Sequence, residues 1–290
     1  MVQKVIDDLI DKFDGAFAKN TIRAYRQDFS HFANWCQANG VDPFSCPSEA
    51  FARFVATEAQ QYSSATLERR LTSLRSLFKM LNAADPTRSL EGTLAVKRAF
   101  RAKGRAQQQA VPLTKDILHK LLLVCGDDIV GQRNRVMLTL GYETMRRRSE
   151  LCAFKFSDLE SLPGGRFALQ MRFSKTDQYG QGRLIAISEQ LVNLLKQWQA
   201  IVGDDGYIIR GVKKGEQITS SLTPTSLNRV LQSLQDKAKL DLPRYLTGHS
   251  FRVGAAVDMM QQGASFEQIM LKGGWRSEST VMRYLRAMVI

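Results

Sequence analysis

Between residues 97 and 112 this chain of 290 residues changes character, and the break limits how the rest can fold. The run Lys97-Arg98-Ala99-Phe100-Arg101-Ala102-Lys103-Gly104-Arg105 holds five basic residues and no acid. Ala106-Gln107-Gln108-Gln109-Ala110 then leads to Pro112. A polar linker of this kind divides a chain, and the part on either side is long enough to bury its own core. Residues 1–104 therefore read as a first domain, 105–112 as a linker and 113–290 as a second domain. A solvated charge run would explain the basicity by itself. A basic hinge between two domains is better suited to crossing a nucleic-acid backbone, which makes Lys97, Arg98, Arg101, Lys103 and Arg105 candidate DNA contacts.

The first part reads as all-helical. Asn20-Thr21 caps a helix to about Asn39-Gly40, with Ile22, Tyr25, Phe29, Phe32 and Cys36 on one side. After a turn from Pro43 to Pro47, helices are expected over 48–60, 64–81 and 90–100, the second broken by Asp85-Pro86. This gives a bundle of four or five helices. In the second part, helices over 114–124 and 129–144 precede three strand candidates, 154–158, 166–173 and 183–188. Phe167, Leu169, Met171 and Phe173 alternate along the middle one. Helices resume over 189–201, 225–238, 250–262, 265–272 and from 277 onward, with Ser265-Phe266-Glu267-Gln268 as a capping box and Gly263 and Gly273-Gly274 as stops. The fold class is mainly α, with a small antiparallel β-sheet in the second domain.

Forty-one Lys+Arg against 28 Asp+Glu leave a net charge of +13 and a pI near 9.8. Counterion release would drive such a chain onto a polyanion, although charge alone does not separate DNA from RNA or anionic lipid. The N-terminus runs into Asp7, Asp8 and Asp11, so no signal peptide is expected, and no apolar run approaches membrane-spanning length. Cys36, Cys46, Cys125 and Cys152 show no Cys-x-x-Cys pairing and read as reduced core residues. The expected compartment is the cytoplasm, or the nucleoid within it.

The candidate chemistry lies in the second part. Attack at a phosphodiester crowds negative charge onto non-bridging oxygens, and guanidinium forks grip two at once. Arg147 follows the apolar helical run of Val136, Met137, Leu138 and Leu140, and precedes Ser149-Glu150-Leu151. His249 and Arg252, at i and i+3, can face one site from a single helical start. Lys175 tips a hairpin, and Trp275 follows Gly273-Gly274 with an indole N–H to offer. Tyr284, 32 residues beyond Arg252, supplies an oxygen nucleophile that stays bonded to phosphorus. Singly, each has an ordinary reading as a solvated cation, a loop lysine or a core aromatic. Together, their order and spacing point to covalent attack on a DNA phosphate.

Three segments carry a resemblance. Gly141-Tyr142-Glu143-Thr144-Met145-Arg146-Arg147-Arg148-Ser149-Glu150-Leu151, Thr247-Gly248-His249-Ser250-Phe251-Arg252-Val253-Gly254-Ala255-Ala256, and Gly273-Gly274-Trp275 through Val281-Met282-Arg283-Tyr284 are similar to the motif boxes of the tyrosine recombinase (integrase) family. The Cre-like and Xer-like members are the most similar. The likeness is specific over about residues 134–285 and looser over the helical first part. It implies a core-binding domain and a catalytic domain that together clamp DNA. By the same resemblance, Arg147 and Arg252 would grip the scissile phosphate with His249 and Trp275, and Lys175 would protonate the departing 5′ oxygen. Glu150 would support the site by orienting a neighbour, and Tyr284 would attack to leave a 3′-phosphotyrosine. It implies neither ATP nor a metal cofactor. The expected partners are double-stranded DNA with inverted-repeat sites and further copies of the chain, as a tetramer.

Two departures stand out. Arg146 occupies a position that is usually apolar in relatives, about 100° round a helix from Arg147, and is expected to face DNA or solvent. Only Leu285 to Ile290 follow the tyrosine, so no C-terminal docking helix is expected, and with the bundle starting so early no arm-binding domain is expected either. Two other readings compete. A type IB topoisomerase or telomere resolvase would use similar residues. A non-catalytic basic regulator would treat Ser250 to Lys272 as a helix-turn-helix lookalike.

Overall fold

The computed structural model describes residues 2–104, 109–172 and 182–285. The chain divides into two compact units, residues 1–108 and 109–290. The first contains α1 (Val2–Asp11), α2 (Lys19–Ala38), α3 (Ser48–Gln61), α4 (Ser64–Met80) and α5 (Leu90–Lys103). Its core is aromatic. Phe29, Phe32, Phe51, Phe54 and Phe78 are fully buried, and the Phe32 and Phe54 rings meet edge-on at 5.0 Å, the arrangement ring quadrupoles favour.

Several boundaries in this unit differ from expectation. α1 was not foreseen, yet Ile6 and Ile10, one turn apart, are buried in the core. α2 starts one residue before Asn20, with Ala18 at its N-cap. The Asn20 side chain does not cap and instead accepts from Arg23. Lys97, Arg98, Arg101 and Lys103 are not in a hinge but on the last turns of α5, where cations complement the helix dipole. They are exposed, and Lys103 Nζ donates to Tyr62 O at 2.6 Å. Arg105 lies outside the described residues.

In the second unit, α6 (Lys115–Leu123), α7 (Ile129–Thr144) and the short α8 (Arg148–Leu151) precede a three-stranded antiparallel sheet of order β1-β2-β3. The strands are β1 (Leu159–Leu162), β2 (Arg166–Met171) and β3 (Arg183–Ile187), with Leu169 opposite Leu159 on one side and Ile185 on the other. The strand expected over 154–158 is absent. Phe156–Asp158 is a 3₁₀ turn, closed by the Asp158 carboxylate accepting from Lys155 N at 2.8 Å, and the strand begins only afterwards. Phe173 lies outside the described residues. Among the described residues five helices follow: α9 (Glu189–Val202), α10 (Pro224–Lys237), α11 (Gly248–Gln261), α12 (Phe266–Gly273) and α13 (Glu278–Leu285). All four cysteines are buried and free. Among the described residues no helix is long and apolar enough to cross a membrane.

α11 is the axis of this unit. From Ser250 to Asp258 every residue is buried, so neighbours press on it from all round. Its small residues make that possible. A Cβ on Gly254 would sit 1.9 Å from Leu113 O, a backbone atom held in place by the Leu113 N to Ser250 O bond of 2.9 Å. Gly141 of α7 likewise leaves room for the Phe251 ring, 2.8 Å from where its Cβ would be. Gly254→Ala is therefore expected to destabilise the second unit by at least the roughly 1–3 kcal/mol typical of overpacking. Thermal melts of wild type and variant check this, and an unchanged midpoint would show that the 111–113 segment yields freely.

Candidate active site

Arg147 is set by a carboxylate that serves it twice. α7 stops at Met145, whose φ of +54° is left-handed, a strain of roughly 1–3 kcal/mol for a residue with a Cβ. The chain then re-enters a helix at Arg148, leaving Arg147 at the N-cap of α8. Glu150 accepts from Arg147 N at 3.0 Å and from Arg147 Nη1 at 2.8 Å, so one buried side chain fixes both the backbone and the guanidinium. The expected orienting role of Glu150 has this geometric basis. The Arg147 side chain keeps 31% exposure.

Arg252 and His249 come from the first turns of α11. Thr247 caps this helix, accepting from His249 N at 3.3 Å, and Gly248 N donates to Asn228 Oδ1 at 2.9 Å. Arg252 is 1% exposed, and its Nη1 donates to Met145 O and to Gly273 O (3.0 Å). Its guanidinium lies over the Trp275 ring, 4.5 Å from the centroid. Tyr284, half-buried on α13, touches both neighbours: its ring centre lies 5.0 Å from His249 and 5.7 Å from Trp275. Trp275 is thus both a core residue, packed with Met145, Ala256 and Val281, and a wall of the site.

The electrostatics are one-sided. Burial first, and then the Arg147 charge, bring the Arg252 pKa down to about 10. Arg146 is brought down to about 10 by burial and by Arg252. The His249 pKa lies below the ordinary histidine range because of burial, Arg252 and Arg147, which keeps the ring neutral at pH 7. Among the described residues, Glu150 is the carboxylate that acts on both Arg146 and Arg252. A desolvated cluster short of negative charge is suited to an anion. Among the described residues no group of three or more His, Cys, Asp or Glu could hold a metal ion.

The structure brings together Arg147, Glu150, His249, Arg252, Trp275 and Tyr284. Lys175 lies outside the described residues. Arg146 departs from expectation: it is 1% exposed, with Nε donating to Thr144 O at 2.6 Å and Nη2 to Lys272 O. The expected 100° turn from Arg147 fails because residues 145–147 are not helical. Asp258 was not singled out, although Tyr142 Oη (2.5 Å) and Lys115 N (2.7 Å) both donate to it and tie α6 and α7 to α11. Arg183, which donates to Leu271 O, was missed because its partner is 88 residues away.

Comparison with known proteins identifies the family. Residues 112–289 match the phage integrase family, and residues 12–85 match the N-terminal SAM-like domain of phage integrases. The chain belongs to the phage integrase family, the tyrosine recombinases. It is 28% identical over 280 residues to an integrase/recombinase XerD homologue of Selenomonas ruminantium, covering 92% of this chain and 82% of that protein. To the Cre recombinase of Escherichia phage P1 it is 27% identical over 305 residues, covering 98% and 89%. Two solved structures share the fold. One is XerH bound to a difH substrate before cleavage (TM-score 0.68, 17% identity, 97% and 81% covered). The other is a lambda integrase dimer on a core site (TM-score 0.65, 16% identity, 96% and 94% covered). The chain is a DNA strand transferase that cleaves and rejoins DNA in site-specific recombination.

The neutral state of His249 has a consequence for stability. Because its folded pKa lies below the unfolded value of about 6.5, the unfolded chain takes up the proton first as pH falls, and stability drops below that pH. His249→Gln should lose less stability than wild type between pH 7.5 and pH 5 in melts without DNA. Parallel curves for the two proteins would show that His249 is not held neutral.

Proposed function

We propose that the protein exchanges strands between two duplex sites made of inverted repeats, acting as a tetramer on DNA in the cytoplasm, with Tyr284 as nucleophile. The observation that carries this reading is that His249, Arg252, Trp275 and Tyr284 meet in one cluster with more guanidinium than carboxylate. Tyr284 Oη forms a bond to the scissile phosphorus while the bond from phosphorus to O5′ breaks. The phenol proton passes to His249, which is neutral and faces the tyrosine ring. Lys175 donates a proton to the departing O5′, since an alkoxide leaves poorly. Arg147 and Arg252 carry the charge that builds on the non-bridging oxygens, and Trp275 lines the site. The phosphodiester energy is kept in the phosphotyrosine, and a 5′-hydroxyl from the partner duplex reverses the step. Lys97, Arg98, Arg101 and Lys103, exposed along α5, add sequence-independent phosphate contacts, as Arg105 would beyond them.

Two experiments test the roles. Tyr284→Phe should bind its half-site about as tightly as wild type yet form no denaturation-resistant adduct with a nicked suicide substrate, because only the nucleophilic oxygen is gone. An adduct formed by this variant would remove Tyr284 from the reaction. Lys175→Ala should fail to cleave ordinary DNA but recover on a substrate with a 5′-bridging sulfur, which leaves without a proton. Equal failure on both substrates would make Lys175 a phosphate contact only. A two-site assay with wild type separates strand exchange from relaxation at a single site.

A further inference from the structure

The C-terminal end of a helix leaves its last four carbonyls without intrahelical partners, and for α12 each can be traced. Met270 O accepts from Gly274 N and from Trp275 N, the latter at 3.1 Å. Leu271 O accepts from Arg183 Nη2, Lys272 O from Arg146 Nη2, and Gly273 O from Arg252 Nη1 at 3.0 Å. Three guanidiniums thus close three successive carbonyls, at the end of a helix where positive charge is favoured. The next residue, Gly274, is left-handed at φ +67°, and Trp275 and α13 follow.

Arg146 is buried, as is Arg252, and like Arg252 it reaches back to the turn after α7: its Nε donates to Thr144 O, the last residue of α7. It therefore ties the turn that presents Arg147 to the turn that leads into the tyrosine helix, across 126 residues of sequence. Gly274 admits it closely: a Cβ there would lie 3.0 Å from Arg146 Nη1. A planar guanidinium spans both carbonyls, a compact ammonium reaches less well, and an apolar side chain would leave both unpaired.

We propose that Arg146 is a positioning residue for Tyr284, setting the end of α12, and with it Trp275 and α13, against the turn that carries Arg147. The inference rests on Tyr284 being the nucleophile. It predicts that Arg146 governs how the phenol is placed and not how the phosphate is held.

The test uses the full chain. With saturating suicide substrate, Arg146→Leu should form the covalent adduct about a hundred-fold more slowly than wild type, the size of effect a misplaced reacting group produces. Arg146→Lys should recover to within about ten-fold, and half-site affinity should be unchanged in both. The decisive arm uses a DNA end carrying a 3′-p-nitrophenyl phosphate in the Tyr284→Phe background. Here a 5′-hydroxyl displaces p-nitrophenolate at the same phosphate site without any tyrosine. Adding Arg146→Leu to that background should leave the joining rate unaltered. Equal losses in adduct formation and joining would show that Arg146 shapes the phosphate site instead, and a wild-type adduct rate for Arg146→Leu would overturn the inference directly. Should Arg146→Leu not fold, Arg146→Lys carries the same comparison: slowed adduct formation with unchanged joining supports it, and no slowing overturns it. An adduct from Tyr284→Phe alone would instead overturn the assignment of the nucleophile.

Discussion

A buried guanidinium needs partners, and those partners decide what it can still do. At this site they are mostly backbone carbonyls. Arg252 donates to Met145 O and Gly273 O, and Arg146 donates to Thr144 O and Lys272 O. A carbonyl satisfies an N–H without cancelling the charge, whereas a carboxylate does both. The site therefore stays electropositive while its side chains are held still. The lowered pKa values of Arg146 and Arg252, still about 10, show the cost of burial first and of neighbouring charge second, and also that both stay protonated at neutral pH. Pre-set charge of this kind is what a developing pentacoordinate phosphorus requires.

The first unit handles the same residue type in the opposite way. There Arg70 donates to Glu58 and faces Asp28 at 3.8 Å, while Arg69 donates to Asp28. Ser73 adds a hydroxyl to Asp28 at 2.7 Å, His31 meets Glu58 at 2.8 Å, and the Arg70 guanidinium stacks on Tyr62. Charge here is balanced acid for base, and the network joins α2, α3 and α4. Buried pairs of this sort contribute little net stability but are costly to break singly. They suit a scaffold. Two guanidinium clusters in one chain thus differ by their acceptors alone, and only the cluster rich in carbonyls has charge left for a ligand.

What could be read from the residues follows the same division. Tyr284, His249, Arg252, Arg147 and Trp275 were legible because their chemistry is local to a motif and its spacing. So was Ser265 with Gln268, a reciprocal cap that the structure contains. Arg146 was misread and Arg183 unseen because their acceptors are backbone atoms contributed from 126 and 88 residues away, and every residue type has a carbonyl. The segment over 154–158 was expected as a strand, yet Asp158 closes a turn with Lys155 N, a local side-chain bond that overrides the extended backbone. α1 was obscured by its acids, although Ile6 and Ile10 are one turn apart.

The glycines around the site now have a physical reason beyond motif membership. Gly273 would drive a Cβ to within 2.0 Å of the Trp275 ring, so the indole folds back over the helix end only because nothing is there. Gly248 lets α11 approach Arg148, whose Cβ would be 2.5 Å from a methyl at that position. Each removes side-chain volume at a close approach, to an indole ring in one case and to an arginine Cβ in the other. Met145 does the reverse, holding a left-handed backbone with a full side chain that is buried among Trp275, Ala255 and Ile269. Packing offsets its strain, and the carbonyl that this conformation exposes is the one Arg252 takes. Backbone shape, rather than a surplus of acids, is what keeps these guanidiniums in place.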